Sequence, residues 1–136
     1  MRRVLVIDDD KFIGVAIEAI LRRKDYDVIV ADSEDVRSKR IEASDFDVAI
    51  VDIFMPGMDG FEIIKVFRKC APEVPIVAMS GYRFRNSTSP APDFLEMAMR
   101  YGASYRLSKP FGPRQLWAAI NACLADQPLR DCAMGL

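Results

Sequence analysis

The chain contains no histidine. That absence removes Ser-His-Asp and Cys-His catalysis, and imidazole metal ligation, from its own residues. The three cysteines, Cys70, Cys123 and Cys132, are odd in number and lack C-x-x-C spacing, which argues against a disulfide framework and a thiolate zinc site. Charge of one sign is also lacking. Nineteen Lys and Arg stand against 20 Asp and Glu, and a formal net charge of -1 gives the surface no general attraction for nucleic acid. No apolar run approaches the roughly 18 residues of a membrane span. Arg2 and Arg3 do precede an apolar stretch, but Asp8 interrupts it before a secretory core of about 7–15 residues is complete. A first strand is the better reading, and the expected location is the cytoplasm, without membrane contact.

What is present is a balanced globular composition, 51% hydrophobic and 29% charged over 136 residues. A chain of this size forms one domain and hides roughly 68–70% of its unfolded surface. Strand-like segments occur at residues 3–7, 27–31, 47–52, 75–80 and 104–109, separated by stretches that hold helices. Phe12, Val15, Ala16, Ala19 and Ile20 share one apolar helical face after the first strand. Phe61, Ile64 and Phe67 mark a third helix, Phe94, Met97, Ala98 and Tyr101 a fourth, and Leu116, Ile120 and Leu124 a fifth. The second helix, near residues 34–43, offers only Val36, Ile41 and Ala43. Near-continuous aliphatic strands suit a sheet covered on both faces, and strand–helix alternation gives right-handed parallel crossovers. The expectation is a doubly wound five-stranded α/β domain over residues 1–126, a long loop at 81–92 and a tail at 127–136.

Acids end two of these strands. Asp8, Asp9 and Asp10 follow the first, and Asp52 ends the third, on the edge where open parallel sheets place ligands. Ser80 and Lys109 close the fourth and fifth. Carboxylates about 5 Å apart repel by roughly 3 kcal/mol at an effective dielectric near 20, so a cation is required among them. Oxygen-only ligands favour a hard ion, and a small cluster with room for waters and a phosphate suits Mg²⁺; no EF-hand spacing is present. One of the three leading acids is enough to cap the first helix, a role assigned to Asp10. A phosphoryl group on Asp52 would offer oxygens to the ion, to the Ser80 hydroxyl and to the Lys109 ammonium. Pro110 allows a cis bond that aims Lys109 at the rim.

Together these residues resemble the response-regulator receiver domain of two-component signalling, through Val4-Leu-Val-Ile-Asp8-Asp9-Asp10, Val51-Asp52-Ile-Phe-Met-Pro-Gly-Met-Asp-Gly60, Met79-Ser80-Gly81 and Lys109-Pro110-Phe111. The resemblance covers residues 3–126. It implies a flavodoxin-like fold with strand order 2-1-3-4-5 and five helices, Asp52 as phosphoacceptor, and Ser80 and Lys109 holding the phosphoryl group. It further implies Mg²⁺ bound by Asp9, Asp52 and the main-chain carbonyl of Phe54, and by Asp8 through water. The donor histidine would belong to a sensor histidine kinase or a histidine phosphotransferase. The domain would promote only its own phosphorylation and dephosphorylation, and would not turn over an external substrate.

The chain departs from the family pattern at two places, the aromatic position before the lysine and the loop at 81–92, which is longer than usual. The aromatic residue usual three positions before the lysine is Arg106 here, and Tyr105 precedes it, so on an alternating strand Tyr105 faces the other side. Phe54 and Tyr82 stand two positions after Asp52 and Ser80, where bulky side chains are expected to shield an acyl phosphate from water. With no output domain read after Asp126, a single-domain regulator is expected, acting as a phosphoryl shuttle or a phosphorylation-dependent binding module. Two rivals are a Mg²⁺-dependent aspartyl phosphohydrolase, whose expected second acid is replaced by Phe54, and a phosphorylation-independent scaffold.

Overall fold

The structure is a computed structural model and describes residues 2–39, 41–55, 58–80 and 94–125. The segments expected as a loop at 81–92 and a tail at 127–136, and with them Tyr82 and Cys132, lie outside the described residues. Five strands, β1 (Arg3–Ile7), β2 (Asp27–Ala31), β3 (Val48–Asp52), β6 (Ile76–Ser80) and β7 (Tyr105–Ser108), form a parallel sheet in the order β2-β1-β3-β6-β7. Two short strands, β4 (Phe54–Met55) and β5 (Met58–Asp59), pair antiparallel beyond β3. Counting only the strands of the main sheet, this is the flavodoxin-like order 2-1-3-4-5. The helices are α1 (Lys11–Arg22), α2 (Ser33–Arg37), α3 (Gly60–Cys70), α4 (Phe94–Tyr101) and α5 (Pro113–Ala125).

The pleat divides the strand side chains between two cores. Leu5, Ile7, Ala49, Val51, Ile76 and Ala78 pack beneath Ile63, Ile64 and Phe67 of α3 and Ala98 of α4. Val4, Val6, Val48, Ile50, Val77 and Met79 point the other way, against Ile17 and Leu21 of α1 and Leu116 and Ile120 of α5. Burial on both faces is why β3 and β6 are buried at every position and carry almost no polar residue before their last.

The helix faces correct the sequence reading in three places. Phe12 and Val15 of α1, expected inward, are 89% and 62% exposed, and the helix instead buries Gly14, Ile17 and Leu21. Both stripes satisfy the same spacing. Packing chooses between them at Gly14, where an added Cβ would lie 2.6 Å from Val30 Cγ1, so the glycine lets α1 settle on β2 along this face.

The helix expected near residues 34–43 is only α2, followed by a 3₁₀ turn at Ala43–Asp45. The Ser38 hydroxyl bonds back to the Glu34 carbonyl, and Lys39 has a left-handed φ of 59°, which ends the helix. Val36 and Ile41 still reach the core from the sides, and Ala43 is buried.

On α4, of the expected stripe, Ala98 is buried while Met97 and Tyr101 are more than a third exposed, and the Phe94 side chain lies outside the described residues. Tyr101 covers Phe61 instead, with ring centroids 5.3 Å apart.

Candidate functional site

Every main strand ends at one rim. The period of two that divides the cores also sorts the residues beyond them: Asp8, Asp52 and Lys109 continue the phase facing α1 and α5, whereas Asp9 and Ser80 continue the opposite phase. Parallel register brings the ends level. Ile7 pairs with Val51, Asp52 with Met79 and Ser80 with Ser108.

At the centre, the Lys109 ammonium donates to Asp8 Oδ2 at 3.0 Å and to Asp52 Oδ2 at 3.3 Å. These contacts span 101 and 57 residues of sequence. Asp8, Asp52 and Ser80 are all buried, with 2%, 6% and 8% of their surface exposed. Two carboxylates that meet at one ammonium repel by roughly 3 kcal/mol at an effective dielectric of about 20, and the ammonium between them offsets this. The second oxygen of Asp8 accepts the Asp10 amide at 2.8 Å. The amide of Lys109 donates to the Ser80 carbonyl at 2.8 Å and that of Ile53 to the Met79 carbonyl at 3.0 Å, which fixes adjacent strand ends to one another. The Lys109–Pro110 peptide is cis.

Asp10 caps α1, as expected, by accepting the Phe12 amide at 3.0 Å. Asp9 stands apart. Its two oxygens accept the Ser33 amide at 2.7 Å and the Ser33 hydroxyl at 3.0 Å. The expected gathering of Asp8, Asp9 and Asp52 is therefore realised for Asp8 and Asp52, and among the described residues no three acids form a metal-holding group. Alternation directs Asp9 away from the Lys109 side, toward donors at the start of α2.

Ser33 was missed in the sequence. Its only local signal is the pair Asp32 and Asp35, which form a reciprocal capping box around it. The Asp35 amide, donating to the Asp32 carboxylate, is the main cause holding the Asp32 pKa below its ordinary 3.8.

The backbone of Phe54 lies in β4, directly beyond Asp52, while its side chain is outside the described residues. Tyr105 is partly buried on the α1 and α5 side with Leu107, and Arg106, aligned with Ala78, is exposed.

A parallel flavodoxin-like sheet with a lysine-bridged pair of acids at its C-terminal edge defines a class of phosphoacceptor signalling domain. The chain belongs to the response regulator receiver domain family, whose profile matches residues 4–121. It is 29% identical over 124 residues to the alkaline phosphatase synthesis transcriptional regulatory protein PhoP of Bacillus subtilis (strain 168), covering 90% of this chain and 48% of that protein. The chain thus spans about half the length of this curated relative. Among solved structures it resembles a CheY-like response regulator receiver domain protein of Methanospirillum hungatei JF-1, with 27% identity, a TM-score of 0.79, and 93% and 95% of the two chains covered. It is also similar to a receiver domain protein of Clostridium thermocellum, with 28% identity, a TM-score of 0.78, and 92% and 95% covered. Receiver domains generally use Mg²⁺ at the phosphorylation site and interact with histidine kinases or phosphotransfer proteins. No helix among the described residues is long and apolar enough to cross a membrane.

Proposed function

We propose that Asp52 accepts a phosphoryl group from a phosphohistidine on a cytoplasmic sensor histidine kinase or histidine phosphotransferase, and that the acyl phosphate alters a protein-binding face or is passed on. The observation that carries this reading is the buried Asp8–Lys109–Asp52 bridge at the open end of the sheet. A carboxylate oxygen of Asp52 attacks phosphorus in line, the bond to the imidazole nitrogen breaks, and the new bond joins phosphorus to the aspartyl oxygen. Lys109 then trades a carboxylate for a phosphoryl oxygen, and the Ser80 hydroxyl donates to another.

The donor set fits Mg²⁺. It is made of oxygen atoms alone, and Asp8 and Asp52 already converge on one cationic group. We assign Asp8, through water, with Asp9, Asp52 and the Phe54 carbonyl, to hold the ion, which when bound neutralises charge on the transferred group. Tyr105 and Arg106 lie on the face made by α4, β7 and α5, to which we assign the output; Tyr82 completes that assignment from the sequence alone.

Incubated with Mg²⁺ and a small-molecule phosphodonor, the wild type is expected to gain about 80 Da, one phosphoryl group, and Asp52→Asn to gain none. Intact mass reads both. An equal adduct on Asp52→Asn, or continuous turnover of a phosphate ester, overturns the assignment.

Contact with the partner is the second part of the reading. The exposed apolar face of α1, with Phe12 89% bare and Val15 62%, begins two residues after Asp10 and so flanks the rim. Phe12→Asp is expected to slow transfer at least about tenfold from an autophosphorylated kinase that phosphorylates the wild type, by placing charge in an apolar contact. Uptake from the small phosphodonor should be unchanged. Equal slowing with both donors would assign Phe12 to the fold instead.

A further inference from the structure

We infer that Ser33 sets the affinity of the site for its divalent cation by holding Asp9 in a withdrawn position. This inference rests on the assignment of Asp9 to the ion made above. The carboxylate of Asp9 is engaged at both ends by one residue, Oδ1 by the Ser33 amide at 2.7 Å and Oδ2 by its hydroxyl at 3.0 Å. Ser33 is itself buried, with 7% of its surface exposed.

The turn that carries it is held on both sides. Asp32 Oδ1 accepts the Asp35 amide at 2.9 Å and Asp35 Oδ2 accepts the Asp32 amide at 3.1 Å. Two donors fixed in this way form a receptor for a carboxylate that costs little to organise, and hydrogen bonds to an ionised acceptor are the stronger kind. Meanwhile Asp8 and Asp52 face each other across Lys109, and Asp9 does not complete a group of three acids with them.

A cation entering between Asp8 and Asp52 must therefore draw Asp9 off Ser33, or bind without it. Only the first route makes the affinity depend on the Ser33 hydroxyl, and the assignment of Asp9 to the ion selects that route. Loss of an outer residue that orients a metal-binding carboxylate toward its ion commonly costs about 10–100-fold in affinity, and an outer residue that holds the carboxylate away acts in the opposite sense. Here the geometry points to the second. Ser33 is a positioning residue and acts only through Asp9.

The test is isothermal titration calorimetry with Mg²⁺ alone, with no phosphodonor. Ser33→Ala removes the hydroxyl but keeps the amide, so Mg²⁺ is expected to bind about three- to tenfold more tightly than to the wild type. Ser33→Thr, which keeps the hydroxyl, should restore the wild-type Kd, and in an Asp9→Asn background Ser33→Ala should have no effect. If Ser33→Ala fails to fold, Ser33→Cys replaces the hydroxyl by a weak donor and should tighten binding in the same direction.

An unchanged or weakened Kd in the Ser33 variants, with Mg²⁺ binding to the wild type, overturns the inference and leaves the phosphoacceptor reading standing. No Mg²⁺ binding by the wild type overturns the inference as well. If the wild type also takes no phosphoryl group, the phosphoacceptor reading falls with it.

Discussion

Lys109→Ala is expected to lower unfolding free energy by about 3 kcal/mol in the absence of divalent ions, the low end for stripping one partner from a buried ion pair. The side chains of Asp8 and Asp52 are only 1% and 9% exposed, so neither carboxylate recovers much hydration when the ammonium goes. Lys109 is itself 15% exposed at the rim, which is why the low end applies. Mg²⁺ should then stabilise the variant more than the wild type, because no ammonium competes with it for the two acids. An ion at 100 times its Kd contributes about 2.7 kcal/mol. Phosphoryl uptake should still fall about 100-fold or more, since a cation aimed at charge developing in the transition state is lost. Urea midpoints with and without Mg²⁺, together with the rate of adduct formation, read both effects. Identical midpoints for wild type and variant would mean that the bridge does not support the fold.

Gly60→Ala is the second large effect. A Cβ at residue 60 would lie 2.4 Å from the Ile53 Cα and 2.5 Å from the Asp52 carbonyl oxygen. Both are backbone atoms that no rotamer change can move aside. Either the start of α3 retreats or the Asp52–Ile53 peptide shifts. Overpacking of this kind costs about 1–3 kcal/mol, and a rigid neighbour places it near the upper limit. The consequence for chemistry is larger still, because a displacement of about 1 Å at a reacting group costs on the order of 100-fold in rate. Gly112→Ala is the control. Its Cβ would meet only the flexible tip of Gln115, at 3.1 Å, and both stability and phosphoryl uptake should stay near wild type. A folded Gly60→Ala protein that takes up phosphoryl at the wild-type rate would remove this account of α3 packing.

The strand ends were readable in the sequence because alternation and burial act locally. An aliphatic run that leads into Asp has few other places to put its charge than the rim, so Asp8 and Asp52 are legible one strand at a time, and Ser80 and Lys109 follow as the residues that close the other two strands. Asp10 was readable for the same reason, since a helix cap needs only the next two residues. The long helix α5 gave its buried face correctly at Leu116 and Ile120, where one stripe dominates. On α1 two stripes have equal claim by spacing, and the inward one is chosen by the fit of Gly14 against Val30, a contact with another strand.

The sequence by itself determined the class of fold, the order in which strands and helices alternate, and the residues delivered to the reactive edge. These follow from periodicity and from the cost of burying charge, which operate over a few residues. Only the tertiary structure decided that Lys109 lies between Asp8 and Asp52, that Asp9 turns instead to Ser33, and that Phe12 faces outward. Each of those depends on groups 24 to 101 residues apart, or on which of two equivalent faces meets the sheet, and no local pattern carries that information.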